Sequence, residues 1–224
     1  MSGTRISRAA NTKKMVMLAM LSAFAFVAVA VGRIPVVLFL SYEPKDVVIA
    51  IGGFIFGPLS ALAISLVVSL VEMLTISSTG FIGFLMNVLA TCAFACTASL
   101  IYKKIHSIVG AAIGLLCGSI LMVAAMLLWN FLLTPLYMGT PRAEIAAMLV
   151  PVFLPFNLLK AGLNTALTLL LYKPVVLGLR RAALLGGGTG QNTPSRSSRI
   201  AVWIGAGVLL VSCILLVLVM QGKL

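Results

Sequence analysis

Residues 146–172 read AAMLVPVFLPFNLLKAGLNTALTLLLY, 27 residues with a single charged side chain, Lys160. A helix needs about 20 mostly apolar residues to cross a bilayer, so this run is long enough, and Pro151 and Pro155 lie near its start. A charge at mid-helix costs roughly 3 kcal/mol on insertion. Two readings of Lys160 stand. It faces the bundle interior or a water-filled cavity, or it snorkels to an interface. Asn157 lies three residues before it and Asn164 four after, which puts all three on one helix face. The two prolines also open the helix, and freed carbonyls are tolerated in a membrane where they line a cavity.

Further apolar runs lie to either side, at about 15–32, 46–56, 59–76, 81–102, 108–134 and 200–220. Hydrophobic residues make up 62% of the 224-residue chain, charged residues 9%, and mean hydropathy is +1.20. Soluble domains carry roughly 25% charged residues, and so few charges cannot cover a water-facing surface. The expected fold is therefore an all-α membrane protein with one membrane domain. The run at 46–56 is short for a full crossing and breaks at Gly57-Pro58, so it tilts or starts deep in the protein. The expected organisation is a basic cytoplasmic tail at 1–14, a membrane domain at 15–177, a flexible linker rich in Gly, Ser, Thr and Arg at 178–199, and an additional helix at 200–221.

The net charge of +12 sits in tails and turns. No basic patch is interleaved with aromatics, which excludes nucleic acid and leaves membrane lipid as the partner of these charges. With the N-terminus inside and seven crossings, the cytoplasmic side holds eleven Lys and Arg, at 5, 8, 13, 14, 103, 104, 173, 180, 181, 196 and 199; the outer side holds four, at 33, 45, 142 and 223. That asymmetry favours a cytoplasmic N-terminus. The first run lacks a small-residue cleavage site and is followed by more spans, unlike a signal peptide. The four cysteines lie in apolar runs as small core or lipid-facing residues, and His106 sits in a basic turn, so no metal site is expected.

Asn130 and Asn87 each read as interhelical glue or, with Asn157 and Lys160, as part of a polar patch that reads a heterocycle. Trp129 and Tyr137 either stack on that heterocycle or belong to an interfacial belt. Glu72 is a solvated helix end or a partner for Lys45 or Lys160. Asp46 suits a helix N-cap. Ala19 and Ala23, four apart, serve internal packing or a docking face for another membrane subunit. There is no catalytic constellation and no phosphate loop, so the chain is not expected to be an enzyme. Energy for uphill transport would come from ions or partner subunits, and one mid-span ionisable residue is thin for a proton relay.

Five stretches carry a resemblance: YEPKDV at 42–47, IGGFIFGPLS at 51–60, FLMNVLA at 84–90, WNFLLTPLY at 129–137 and, most specific, LPFNLLKAG at 154–162. Over about residues 13–178 the chain resembles the substrate-binding S components of energy-coupling factor (ECF) vitamin transporters, most closely the riboflavin-specific type. The resemblance implies a six-helix transmembrane bundle in a prokaryotic plasma membrane, with both termini of that bundle cytoplasmic. It implies a vitamin bound near the outer face under the loop after the first helix, and docking on a transmembrane coupling subunit driven by two ATPases. Carried over, Asn157 and Lys160 hydrogen-bond the flavin, with Asn130 and Asn87 as further contacts and Tyr42 and Asp46 contributed by the covering segment. Ala19 and Ala23 match an A-x-x-x-A docking pattern. Riboflavin is then a transported ligand and no cofactor is implied. The chain departs from the family in having YEPKD where IDFSD or similar precedes the second helix, and in the run at 200–220, which implies an extra C-terminal transmembrane helix. The alternatives are an S component for a different vitamin or small heterocycle, or a stand-alone ion-coupled carrier.

Overall fold

A computed structural model describes residues 2–37, 40–77, 79–181 and 196–220. Most of the stretch read as a linker, 182–195, lies outside the described residues, as does the Tyr137 side chain. Helix α1 (Ser2–Gly32) leads into a small antiparallel hairpin, β1 (Ile34–Val37) and β2 (Leu40–Tyr42). Then come α2 (Lys45–Phe56), α3 (Pro58–Thr75), α4 (Gly80–Thr91), α5 (Thr97–Lys104), α6 (Ile108–Met138), α7 (Arg142–Met148), α8 (Leu154–Arg181) and α9 (Arg196–Met220). A π turn at Cys92–Cys96 joins α4 to α5, and another at Leu149–Phe153 joins α7 to α8. Pro151 lies in the second, where the wider turn accommodates a residue with no N–H to donate.

Among the described residues six stretches are long and apolar enough to cross a membrane: 11–32, 58–75, 80–104, 108–136, 142–179 and 202–219. The seventh apolar run, α2, is not among them. Its 12 residues reach only about 18 Å at 1.5 Å per residue. Of the two readings of this short run, tilting or starting deep in the protein, the second holds: α2 starts at Lys45 and Asp46, both completely buried. A turn at Gly57, whose φ of +93° is closed to ordinary L side chains, then hands the chain to Pro58 at the first position of α3.

Packing follows the membrane rule, in which small residues let backbones approach. A Cβ added at Gly118 of α6 would stand 2.4 Å from the Phe94 carbonyl, and one at Gly114 would stand 2.7 Å from that of Ala98. The main core joins α1, α2, α3, α5, α6 and α8 around Phe94, Ile49, Ile64 and Leu115. Large apolar side chains such as Leu59, Phe81, Leu116 and Leu136 point outward, as lipid-facing positions should. One end of the bundle is closed by Phe54, Tyr102 and Tyr172, with the two tyrosine hydroxyls hydrogen-bonded to each other. The opposite end is open.

Candidate functional site

At the open end, α1 finishes at Gly32 and the hairpin folds back across the bundle. Ile34 pairs with Tyr42 and Pro35 with Ser41. Successive strand residues face opposite ways, so Leu40 and Tyr42 share one buried face while Ser41 between them is half-buried. Beneath lies a pocket whose walls include Leu40, Ser41 and Glu43 from the hairpin, Ser77 and Thr79 from the α3–α4 turn, Met86 and Asn87 of α4, Trp129, Asn130 and Thr134 of α6, and Phe156, Asn157 and Lys160 of α8. The walls stand close together and leave a cavity of about 60 Å³ between them.

Four residues expected to share a polar patch thus line one cavity: Asn87, Asn130, Asn157 and Lys160. The amides on α6 and α8 are pre-oriented by their own helices. Asn130 donates through Nδ2 to the Met126 carbonyl at 2.8 Å and accepts from Thr134 at 3.0 Å. Asn157 donates to the Phe153 carbonyl at 2.8 Å. Trp129 lines the cavity as well. A wall with fixed amides, an ammonium group and an indole is suited to a flat heterocycle with several carbonyl and N–H groups.

Under the pocket, ion pairs link the elements. Lys160 lies 3.5 Å from Asp46 Oδ2. That oxygen also accepts from Asn164 at 3.1 Å, and Oδ1 accepts from Thr91 at 2.6 Å. Lys160 is 7% exposed, so the snorkelling reading fails. Asp46 does not cap α2 either: Pro44 holds the N-cap position without a side-chain bond. The carboxylate sits in the first helical turn, where the dipole favours it, and binds across to α4 and α8. A second chain runs Arg33–Glu43–Lys45–Glu72. Arg33 is 3.3 Å from Glu43, Lys45 is 2.7 Å from Glu43, and Lys45 also donates to Glu72. Glu72 is 1% exposed, which corrects its reading as a solvated helix end: it is the partner of Lys45. Tyr42 does not line the cavity. It packs with Val36, Ile145 and Phe153 behind the hairpin, and burial, with the Asp46 charge, pushes its hydroxyl above the ordinary tyrosine range.

Three of the protein's four acidic residues lie in these chains, facing three cations, Arg33, Lys45 and Lys160. A buried charge persists only when paired, and the balance is even. Burial alone would push the Glu43 carboxyl up, but Lys45, Lys160 and Arg33 together hold it down at about 2. Among the described residues Ala19 and Ala23 face outward on α1, beside Met15, Met20, Phe24 and Val27, while Met17, Leu21, Ala25 and Val29 are buried. The internal-packing reading of the two alanines is thereby corrected.

The sequence profile described as "ECF transporter, substrate-specific component" matches residues 13–172. The chain is 31% identical over 190 residues, 81% of its length and 100% of the relative's, to the riboflavin transporter RibU of Staphylococcus aureus (strain TCH60). It is 28% identical over 175 residues, 72% of its length and 91% of the relative's, to the riboflavin transporter FmnP of Bacillus subtilis (strain 168). A solved S component of a bacterial ECF transporter superposes with a TM-score of 0.65 at 30% identity, covering 76% of this chain and 99% of that one. The chain belongs to the substrate-specific components of ECF transporters, and is a membrane transporter subunit rather than an enzyme.

Proposed function

We propose that this chain is the riboflavin-binding subunit of an ATP-driven ECF uptake transporter. One observation carries the reading: Asn87, Asn130, Asn157 and Lys160, from three separate helices, converge with Trp129 on a single cavity at the open end. The relatives named for riboflavin agree with it. The amide and ammonium groups meet the polar edge of the flavin ring, and Met86, Leu40 and Phe156 supply apolar faces. Asp46 acts through Lys160, which it holds in place. The charge asymmetry supports a cytoplasmic N-terminus with the open end outside. Purified protein titrated with riboflavin should quench flavin fluorescence at one equivalent. Absence of quenching together with a thermal shift from another vitamin would keep the family and reject the ligand.

Membership of the ECF family implies that the driving energy comes from a coupling subunit and two ATPases. Ala19 and Ala23 mark the docking face. They form a shallow, exposed, small-residue strip on a helix whose other side is anchored in the core, and close helix approach in a bilayer needs such strips. Helix α9 packs on α8 and α6 and leaves this strip uncovered. Ala19→Trp and Ala23→Trp should each abolish copurification with the coupling subunit and cellular riboflavin uptake, with riboflavin affinity in detergent within about twofold of wild type, since a twofold change is under 0.5 kcal/mol. Normal uptake by both variants would place the docking face elsewhere.

A further inference from the structure

The family profile ends at residue 172, before α9 begins at Arg196. Yet α9 packs along α8, meets α6 and reaches β1 of the hairpin. Cys213 is 6% exposed, in one apolar cluster with Val36 of β1, Leu40 and Tyr42 of β2, and Phe156, Leu159 and Leu163 of α8; Leu210 and Val217 of α9 pack against it. Two members of that cluster, Leu40 and Phe156, also form walls of the pocket. The seat for α9 is Gly162, two residues beyond Lys160. A Cβ there would stand 2.7 Å from Cys213 Sγ, so any side chain at this position must push Cys213 aside. A two-stranded hairpin is marginal by itself and depends on what it packs against.

We propose that α9 is a positioning element for the ligand site, holding strands β1 and β2 over the pocket through Cys213 seated on Gly162 and so slowing ligand release. The inference rests on the pocket being the ligand site. Leu40 transmits the support, with one side in the α9 cluster and the other against the bound molecule. Loss of that support loosens the cover while leaving Asn130, Asn157 and Lys160 where they are, so release accelerates more than association slows.

The test is stopped-flow riboflavin release from full-length Gly162→Val, whose added methyl groups collide with Cys213, and from Gly162→Val/Cys213→Gly, which restores the space. Release from the single variant should rise about tenfold, equivalent to about 1.4 kcal/mol, and return towards wild type in the double variant. Rescue is the readout that general destabilisation would not produce. Release unchanged in Gly162→Val while Cys213 becomes reactive to N-ethylmaleimide overturns the proposal, because α9 has then left without effect. Release unchanged with Cys213 still protected also overturns it, because α9 does not then rest on Gly162. If Gly162→Val does not fold, Cys213→Trp displaces α9 from its own side and is held to the same release criterion. A ligand-free arm separates this idea from the riboflavin assignment: maleimide labelling of Val36→Cys, read on its own peptide, should accelerate in the Gly162→Val background. Failure of wild-type protein to bind riboflavin overturns the ligand and leaves that labelling result standing, whereas unchanged labelling overturns the role of α9 whatever the ligand is.

Discussion

Lys160→Ala should lower riboflavin affinity by at least about 100-fold and also destabilise the protein, and the two losses should be separable. Asp46 is completely buried, and its oxygens accept from the neutral donors Thr91 and Asn164. Among the described residues Lys160 is the cation paired with it. Removing one partner of a buried pair leaves an uncompensated charge and costs about 3–5 kcal/mol. The affinity loss has a different origin. Lys160 lines the pocket, and a hydrogen bond to a charged group contributes about 1.5–3 kcal/mol. Loss of the fixed geometry around Asp46 adds to that. Asp46→Asn combined with Lys160→Ala removes the stranded charge. This pair should recover most of the melting temperature and little of the binding. Fluorescence titration and thermal denaturation of the three proteins decide it; single-variant affinity within threefold of wild type would remove Lys160 from the site.

That pair also shows what a linear sequence conveys. Lys160 and Asn157 are legible because a charge and an amide inside a long apolar run must face something polar. Asn87 and Asn130 are legible as polar exceptions in their own runs. Partnership is harder. Glu72 lies 27 residues from Lys45 and near a helix end, where solvent is the default partner, and nothing local states that α2 begins deep enough to bring Lys45 beside it. Asp46 has the residue type and position of a cap, but Pro44 takes that place, and the bond to Asn164 spans 118 positions. Tyr42 adjoins the covering segment in sequence, yet the two-residue alternation of β2 turns it into the cluster behind the hairpin. The seat of α9 is invisible for a related reason: a helix bathed in lipid and one lodged on a glycine have the same apolar composition.

The largest loss of stability should come from Lys45→Met, which keeps the length of the side chain and removes its charge. Lys45 is fully buried and holds two carboxylates at once, Glu43 and Glu72. Without it two buried anions face each other, with Arg33 left on one of them. Losing a partner from a buried ion pair costs about 3–5 kcal/mol, and here two pairs are broken together. The pH dependence should also change sign. In the wild type the Glu43 carboxyl titrates at about 2, against 4.5 for the free group. Its stabilisation is therefore complete above the ordinary value and drains away as pH falls towards the lower one. In Lys45→Met, burial and the neighbouring anion act on Glu43 with less opposition and raise its pKa. A carboxyl raised on folding stabilises at low pH and loses that contribution as pH rises. Between about pH 7 and pH 5 the variant should thus gain thermal stability while the wild type changes little. Adding Glu43→Gln and Glu72→Gln should restore the variant at neutral pH and abolish its pH dependence. A Lys45→Met protein with wild-type melting at pH 7 would mean that the two carboxylates find other partners, and that the chain joining hairpin, α2 and α3 does not hold the pocket wall in place.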